Sequence, residues 1–261
     1  MASPFLLRIV SYFAVLSGLL WCEWVAPFVA PKQSKPLRIR FHVGISVANS
    51  LLLYLLISWP TFMALTYAQR HGIGLSALLS LSGWRMIVAT VIFFDMWDYW
   101  MHLANHRIGL FWRFHKAHHS DMEVDVTTAS RFHIGELIIS GSVKCLVILL
   151  WGPSLWGLVT FDILITAFSQ FHHSNVGIPL GIQDRLERVI VTPRMHRCHH
   201  SLHRECYVAN FSTVFSIWDR IFGSYHWARS MDKLEAVGLL EPRGEETMRL
   251  GPFLLTPFTR K

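Results

Sequence analysis

Apolar residues come in long blocks along this chain, and polar residues gather in the gaps between them. The first block runs from Ile9 to Val29. A helix rises about 1.5 Å per residue, so about 20 apolar residues cross a hydrocarbon core about 30 Å thick. The first block meets that length. It begins too late and is too long and too aromatic for a cleaved signal peptide, and no small-x-small cleavage site follows. A basic linker comes next, PKQSKPLRIR, with Lys32, Lys35, Arg38 and Arg40. The second block spans Phe41 to Ala68, and the third spans Met86 to Met101, with Asp95 and Asp98 near its end. Between them, residues 72–83 form a Gly/Ser/Leu-rich connection suited to the membrane interface. A polar, His-rich stretch follows, from His102 to His133. Apolar character returns from Ile134 to Trp151, breaks at Gly152–Pro153 and resumes from Ser154 to Phe171. Gly-Pro ends a helix and permits a tight turn, so residues 134–171 read as a helical hairpin. Beyond residue 172 the chain is mixed in character.

This pattern predicts an all-α, polytopic membrane helical bundle of about four to five membrane segments, carrying a His-rich helical cap. Residues 1–85 hold the first membrane segments, 86–229 the unit that contains the cap and the hairpin, and 230–261 a tail. Composition agrees. Only 16% of the residues are charged, against about 25% in a soluble domain. The formal charge of +7 would suit nucleic acid, but a chain this apolar is no nucleic-acid binder, and cytoplasmic loops rich in Lys and Arg account for the excess. Trp21, Trp24, Trp59, Trp84, Trp97 and Trp100 flank apolar blocks, as an interfacial belt or ordinary packing would place them. The four cysteines form no C-x-x-C pair, which argues against a disulfide framework and a thiolate metal site. Lys144 lies inside an apolar block. A charge at mid-bilayer costs about 2.5–3.5 kcal/mol, so either it snorkels or, the preferred account, the hairpin is shallow.

Placing the basic linker in the cytoplasm puts residues 102–133 and the tail on the same side. Every His-rich stretch then faces the cytoplasm, which the charge rule did not require.

The candidate chemistry is imidazole. Twelve of the fifteen histidines lie between 102 and 203. Eleven of them form HLANH (His102, His106), HKAHH (His115, His118, His119), RFHIGE (His133), FHHSN (His172, His173) and HRCHH (His196, His199, His200), with His203 just beyond. On a helix, residues three and four apart share a face. His102 and His106 are therefore neighbours, His115 aligns with His118 and His119, and His196 aligns with His199 and His200. Imidazoles converging in this way make metal sites, and imidazole suits Zn, Cu, Fe and Ni. The isolated His42, His71 and His226 read as ordinary polar residues.

A catalytic zinc needs three protein ligands. Eight or nine clustered histidines exceed that and fit two metals, while the zinc signature H-E-x-x-H is absent. Two metals held mainly by histidine suggest iron handling O2 beside a membrane. Ligating histidines usually donate their other N–H to a carboxylate or carbonyl. Asp95 and Asp98 precede the first pair on its helix, and Asp121, Asp125 and Glu136 surround the middle cluster.

DMWDYWMHLANH, WRFHKAHHSD, TTASRFHIGE, FHHSNV, TPRMHRCHHS and WDRIFGSY together resemble the fatty acid hydroxylase/sterol desaturase superfamily, from about Asp95 to Tyr225. The resemblance implies an integral-membrane, non-haem di-iron oxygenase that uses O2 and two external electrons to hydroxylate or desaturate an unreactive C–H of a membrane lipid. It carries over the metal-ligand role to His102, His106, His115, His118, His119, His196, His199 and His200, and to His173 with His172 as its rival. His133 follows more weakly, because RFHIGE has Ile134 where the family has Pro. Leu103 stands where many members have Arg. The electrons are expected from a partner, a ferredoxin, a cytochrome b5-like protein or a reductase, since no flavin or nucleotide fingerprint is present. A membrane zinc hydrolase and a metal-binding or transport protein are the alternatives. The C-terminal PFTRK lacks a di-lysine retrieval pattern, which favours a bacterial inner membrane over the ER. A reporter fused after Lys261 is expected to read as cytoplasmic, and an external signal would overturn the topology.

Overall fold

A computed structural model describes residues 3–227, 231–240 and 244–259; Lys261 and part of the tail expected at 230–261 lie outside the described residues. The helices are α1 (Pro4–Val25), α2 (Lys35–Leu56), α3 (Ser58–His71), α4 (Leu75–Leu78), α5 (Gly83–Arg107), α6 (Gly109–His119), α7 (Ile134–Trp151), α8 (Leu155–His173), α9 (Leu180–Leu186), α10 (Pro193–His199), α11 (Arg204–Tyr207), α12 (Ile217–Ile221), α13 (Met231–Glu235) and α14 (Leu250–Leu255). Short 3₁₀ turns join them, one at Val126–Ser130, and extended pairing among the described residues is confined to isolated bridges. Pro4, Pro36 and Pro193 sit in the first turns of α1, α2 and α10, where a missing N–H costs nothing.

α1, α2 and α7 are long and apolar enough to cross a membrane. A fourth crossing arises if residues 58–78 and 83–107, bent by 78°, count as one broken span. The second apolar block is therefore two helices, split at Ile57. α8 returns from α7 as the expected hairpin, but Asp162, Gln170, His172 and His173 hold it outside the composition of a simple span. The hairpin turn depends on Gly152, which ends α7 in the left-handed region with φ +72 and lies so close to the Ile73 carbonyl that a Cβ would collide.

α8 packs along α1 and α5, and α3 packs along α7. Leu65, Val91, Phe94, Val147, Ile148, Trp151, Leu158 and Phe161 form the core between these helices. Trp151 Nε1 donates to Thr90 Oγ1 at 2.9 Å, which joins α7 to α5. Trp21, Trp24, Trp59 and Trp84, all near helix ends, are more than half exposed, as a belt requires. Trp97 instead packs on the core.

Two ion networks tie the first helices to the rest. Lys144 is neutralised where it stands, because its Nζ meets Asp162 Oδ1 at 2.6 Å and the other Asp162 oxygen meets Arg8 at 2.6 Å. This pairing supplies an account of Lys144 that needs neither snorkelling nor a shallow hairpin. Near the start of α2, Arg38 is 1% exposed and meets Asp121 and Asp125 at 2.7 Å each. Lys35 joins Asp125 at 2.9 Å and also pairs with Glu23. Burial alone would raise the Asp121 and Asp125 carboxyls, but Arg38, with Lys35 beside Asp125, holds both below the usual carboxylate range. Removing one partner of a buried pair costs about 3–5 kcal/mol. Arg38→Ala is expected to lower the unfolding midpoint of the detergent-solubilised protein accordingly, and an unchanged midpoint would show that this network does not brace α2.

Candidate metal centre

Nine histidines meet where α5, α6, α8 and α10 end, and they divide into two sets. His102, His106, His115, His119 and His199 have a ring nitrogen each within 4.8 Å of one another; so do His118, His173, His196 and His200. Each His box with three members is split between the sets. On α6 the pair four residues apart, His115 and His119, shares one face and joins the first set, while His118 turns to the second. After α10 begins, His196 and His200 pair in the same way, and His199 crosses to the first set. The alignment expected for His115 with His118, and for His196 with His199, therefore gives way to i, i+4 pairing alone.

The ring orientations are set by backbone carbonyls. Nδ1–H of His102 donates to Phe211 O at 2.8 Å, that of His118 to Arg131 O at 3.1 Å, and that of His199 to Ala209 O at 2.7 Å. His173 donates to Ser169 O at 2.7 Å and His172 to Thr213 O at 3.1 Å. His115 Nδ1 meets Glu136 Oε1 at 2.8 Å. A carbonyl only accepts, so these imidazoles carry their proton on Nδ1 and present a bare Nε2.

The bare nitrogens face each other. Nε2 of His173 lies 3.1 Å from Nε2 of His118 and 3.0 Å from that of His196, which is 3.2 Å from Nε2 of His200. For His118 and His173 both lone pairs point into the same gap, with no proton to share. In the first set, Nε2 of His115 and His199 and both ring nitrogens of His106 and His119 are buried without a partner. Each such group costs about 1–3 kcal/mol. A cation in each set would take one nitrogen of every ring, which leaves only the second nitrogens of His106 and His119 in the first set without a partner, so the donor sets fit two metal ions. Burial first, then the neighbouring histidines, push His119, His196 and His200 well below the ordinary imidazole value, and His199 falls to about 3. All are neutral at pH 7, the form that ligates.

The carboxylates divide differently from expectation. Glu136 touches a member of the first set, His115, and also accepts from Asn105 Nδ2 at 3.3 Å. Asp125 does not, because Arg38, Lys35 and the Thr127 N–H at 2.8 Å take up its oxygens. Asp95 and Asp98 act one step further out. Asp95 accepts from Val214 N at 3.1 Å, Phe215 N at 3.0 Å and Trp218 Nε1 at 2.7 Å. Asp98 accepts from Thr213 Oγ1 at 2.6 Å. Asp219, within WDRIFGSY but not singled out, accepts from Phe211 N at 2.7 Å and Ser212 N at 3.0 Å. These three acids hold the segment whose carbonyls orient His102 and His172. His133 is removed from the ligand candidates. Its Nδ1 caps α7 by accepting Gly135 N–H at 3.0 Å, and its Nε2–H reaches Leu254 O at 3.2 Å, so neither nitrogen is left. The cap needs no proline, which explains why Ile134 is tolerated at the first helical position. His172 lies with its ring centroid 3.9 Å from that of His196 but outside both sets.

The sequence model of the fatty acid hydroxylase family matches residues 87–224, just over half of the chain. The chain belongs to the fatty acid hydroxylase family. Among curated proteins it is 30% identical to an alkylglycerol monooxygenase of Danio rerio over 63% of this chain and 35% of that protein. It is 26% identical to ornithine lipid hydroxylase OlsE of Rhizobium tropici, over 54% of this chain and 41% of that protein. It is 27% identical to the very-long-chain aldehyde decarbonylase GL1-11 of Oryza sativa subsp. indica, over 84% and 83%. The chain thus covers about a third of the alkylglycerol monooxygenases it matches. No solved structure matches.

In this family member the pH dependence has a definite sign. An imidazole with a lowered folded value binds a proton more readily unfolded, near its ordinary value of about 6.5. Its contribution to stability is therefore whole above about pH 6.5 and is lost as pH falls toward the folded value, about 3 for His199. Metal-free protein in detergent should unfold at a clearly lower temperature at about pH 5 than at about pH 7.5, and loaded protein should release metal over the same interval. Equal stability at both would mean that the rings are not buried neutral.

Proposed function

We propose that the protein is a membrane-bound non-haem di-iron oxygenase that uses O2 and external electrons to hydroxylate an unactivated C–H of a lipid, desaturation being the related outcome. One observation carries this. A cavity of about 350 Å³ is lined by His102, His115, His118, His173 and His196 together with Tyr12, Leu137, Ile165 and Thr166 of α1, α7 and α8. Imidazoles of both sets thus open onto a space lined by membrane helices, where a lipid chain would enter from the bilayer. The names of the monooxygenase and hydroxylase relatives support the same reaction class.

The residues have separable duties. The two imidazole sets would hold two iron ions, which when bound supply reductive activation of O2 beside the lipid. Glu136, which lines the cavity, orients His115 through Oε1 and has a buried Oε2 without a partner. It is placed to hold a proton at that oxygen. The apolar walls exclude water from the reacting carbon. Gln170, which lines the same space, donates to the Tyr12 carbonyl at 3.3 Å, and its unpartnered Oε1 would accept from a polar group of the lipid. Residues 86–229 would be the catalytic unit and 1–85 the membrane segments that complete it, since Tyr12 and Arg38 both reach it. The electron donor would be a ferredoxin, a cytochrome b5-like protein or a reductase, and the His-rich face would be cytoplasmic in a bacterial inner membrane.

The test is metal content and turnover together. Protein from iron-replete growth should hold about two irons per chain and, with a reductant, insert oxygen from labelled O2 into a membrane lipid. His118→Ala and His199→Ala should each reduce bound iron and lower turnover by at least about a hundredfold. Zinc alone in the His sets, or full turnover in either variant, would overturn this assignment.

A further inference from the structure

A second kind of donor set lies behind the third His box. Cys198 of α10, Cys206 of α11 and His226, which follows α12, bring two Sγ atoms and one ring nitrogen within 4.8 Å of one another. Both cysteines are fully buried and His226 is half-buried. The three residues come from separate pieces of chain, so no helical repeat places them together. We propose that they form a distinct mononuclear site for a borderline-soft divalent cation, zinc being the ion it fits.

Three observations support a built site. His226 is clamped: its N–H donates to Asn210 Oδ1 at 2.8 Å, and Asn210 Nδ2 donates to His226 O at 2.9 Å. The same Nδ2 reaches Met195 O at 3.0 Å, which ties the histidine to α10 beside Cys198. Asn210 is itself fully buried and held at φ +60, a conformation asparagine tolerates better than most residues. Next, the chemistry closes. Two thiolates balance a 2+ ion, so the bound site would be neutral in its surroundings of Leu234 and Phe28. Finally, the donors differ from those of the metal centre. Thiolates favour softer ions, zinc among them, whereas imidazole suits Zn, Cu, Fe and Ni alike. Cysteine as a small apolar core residue would explain the burial, but not the imidazole that converges on both thiols. With three protein ligands the fourth position falls to water. The bound ion would pin α10, and with it His196, His199 and His200, to α11 and the chain beyond α12.

This proposal stands apart from the oxygenase assignment and is tested separately. The full chain is purified in detergent after growth with iron and zinc, loose metal is removed, and the zinc environment is read by X-ray absorption. Sulfur neighbours at about 2.3 Å are expected, a signature the imidazole sets cannot produce. The double variant Cys198→Ser, Cys206→Ser should lose about one zinc per chain and all sulfur scattering, and His118→Ala should keep both. Zinc with only nitrogen and oxygen neighbours, no bound zinc, or a Cys198–Cys206 disulfide in denatured, unreduced protein would overturn the proposal. The wild-type spectrum decides the matter if the double variant cannot be recovered folded.

Discussion

Neutral imidazoles whose lone pairs point at one another across about 3 Å repel, and the architecture of this protein follows from accommodating that repulsion. His118 and His173 illustrate the constraint. Each has spent its proton on a backbone carbonyl, Arg131 and Ser169 respectively, and each leaves a bare nitrogen facing the other at 3.1 Å. Such an arrangement persists only if rigid surroundings hold the rings, and it becomes favourable only when a cation occupies the gap. The segment running from Ala209 to Asp219 supplies much of that rigidity. It presents the Ala209, Phe211 and Thr213 carbonyls to His199, His102 and His172. It is anchored in turn by Asp95, Asp98 and Asp219. The acids of α5 thus act on the metal centre through a loop.

The two ends of the membrane region solve different charge problems. Near the cap, Arg38 gathers Asp121 and Asp125 into a buried network that joins α2 to the stretch before α7. Such a network is costly to break, because one unpaired charge is left where water cannot reach it. Within the hairpin, Lys144, Asp162 and Arg8 join α7, α8 and α1. In hydrocarbon a lone lysine is expensive, so the pairing links three helices that apolar contact alone would hold less specifically. Both networks fix helices that line or adjoin the cavity beside the imidazoles.

The division of the metal-binding boxes follows from helical geometry. Residues four apart share a face, and a residue three from one of them and adjacent to the other leans to the side. An H-x-x-H-H box at a helix end therefore offers two imidazoles to one ion and a third to its neighbour. Two boxes in opposed use, with His102 and His106 completing one set and His173 the other, produce a five-plus-four arrangement.

Much of this was legible in the chain itself. Hydrophobic blocks set apart by Gly-Pro and by basic and His-rich stretches placed α1, α7 and the hairpin, because a membrane crossing demands a contiguous apolar length, but they did not show the break at Ile57 that divides the second block into α2 and α3. Spacing of the histidines pointed to donor sets that could hold metal, because i, i+4 imidazoles have a local cause. Contacts between residues far apart were decided only by the tertiary structure. Lys144 and Asp162 lie nine residues before and after Pro153, so folding at that turn sets them opposite each other, and this signal was readable. Arg38 with Asp121 carried no such signal. Nor did the use of both His133 nitrogens by a helix cap and the Leu254 carbonyl, or the capture of Asp125 by Arg38. Cys198, Cys206 and His226, unremarkable as isolated residues, converge only because α10, α11 and the chain after α12 pack together. Local periodicity fixes which face a side chain occupies; which other face it meets depends on loop closure and packing across the whole molecule.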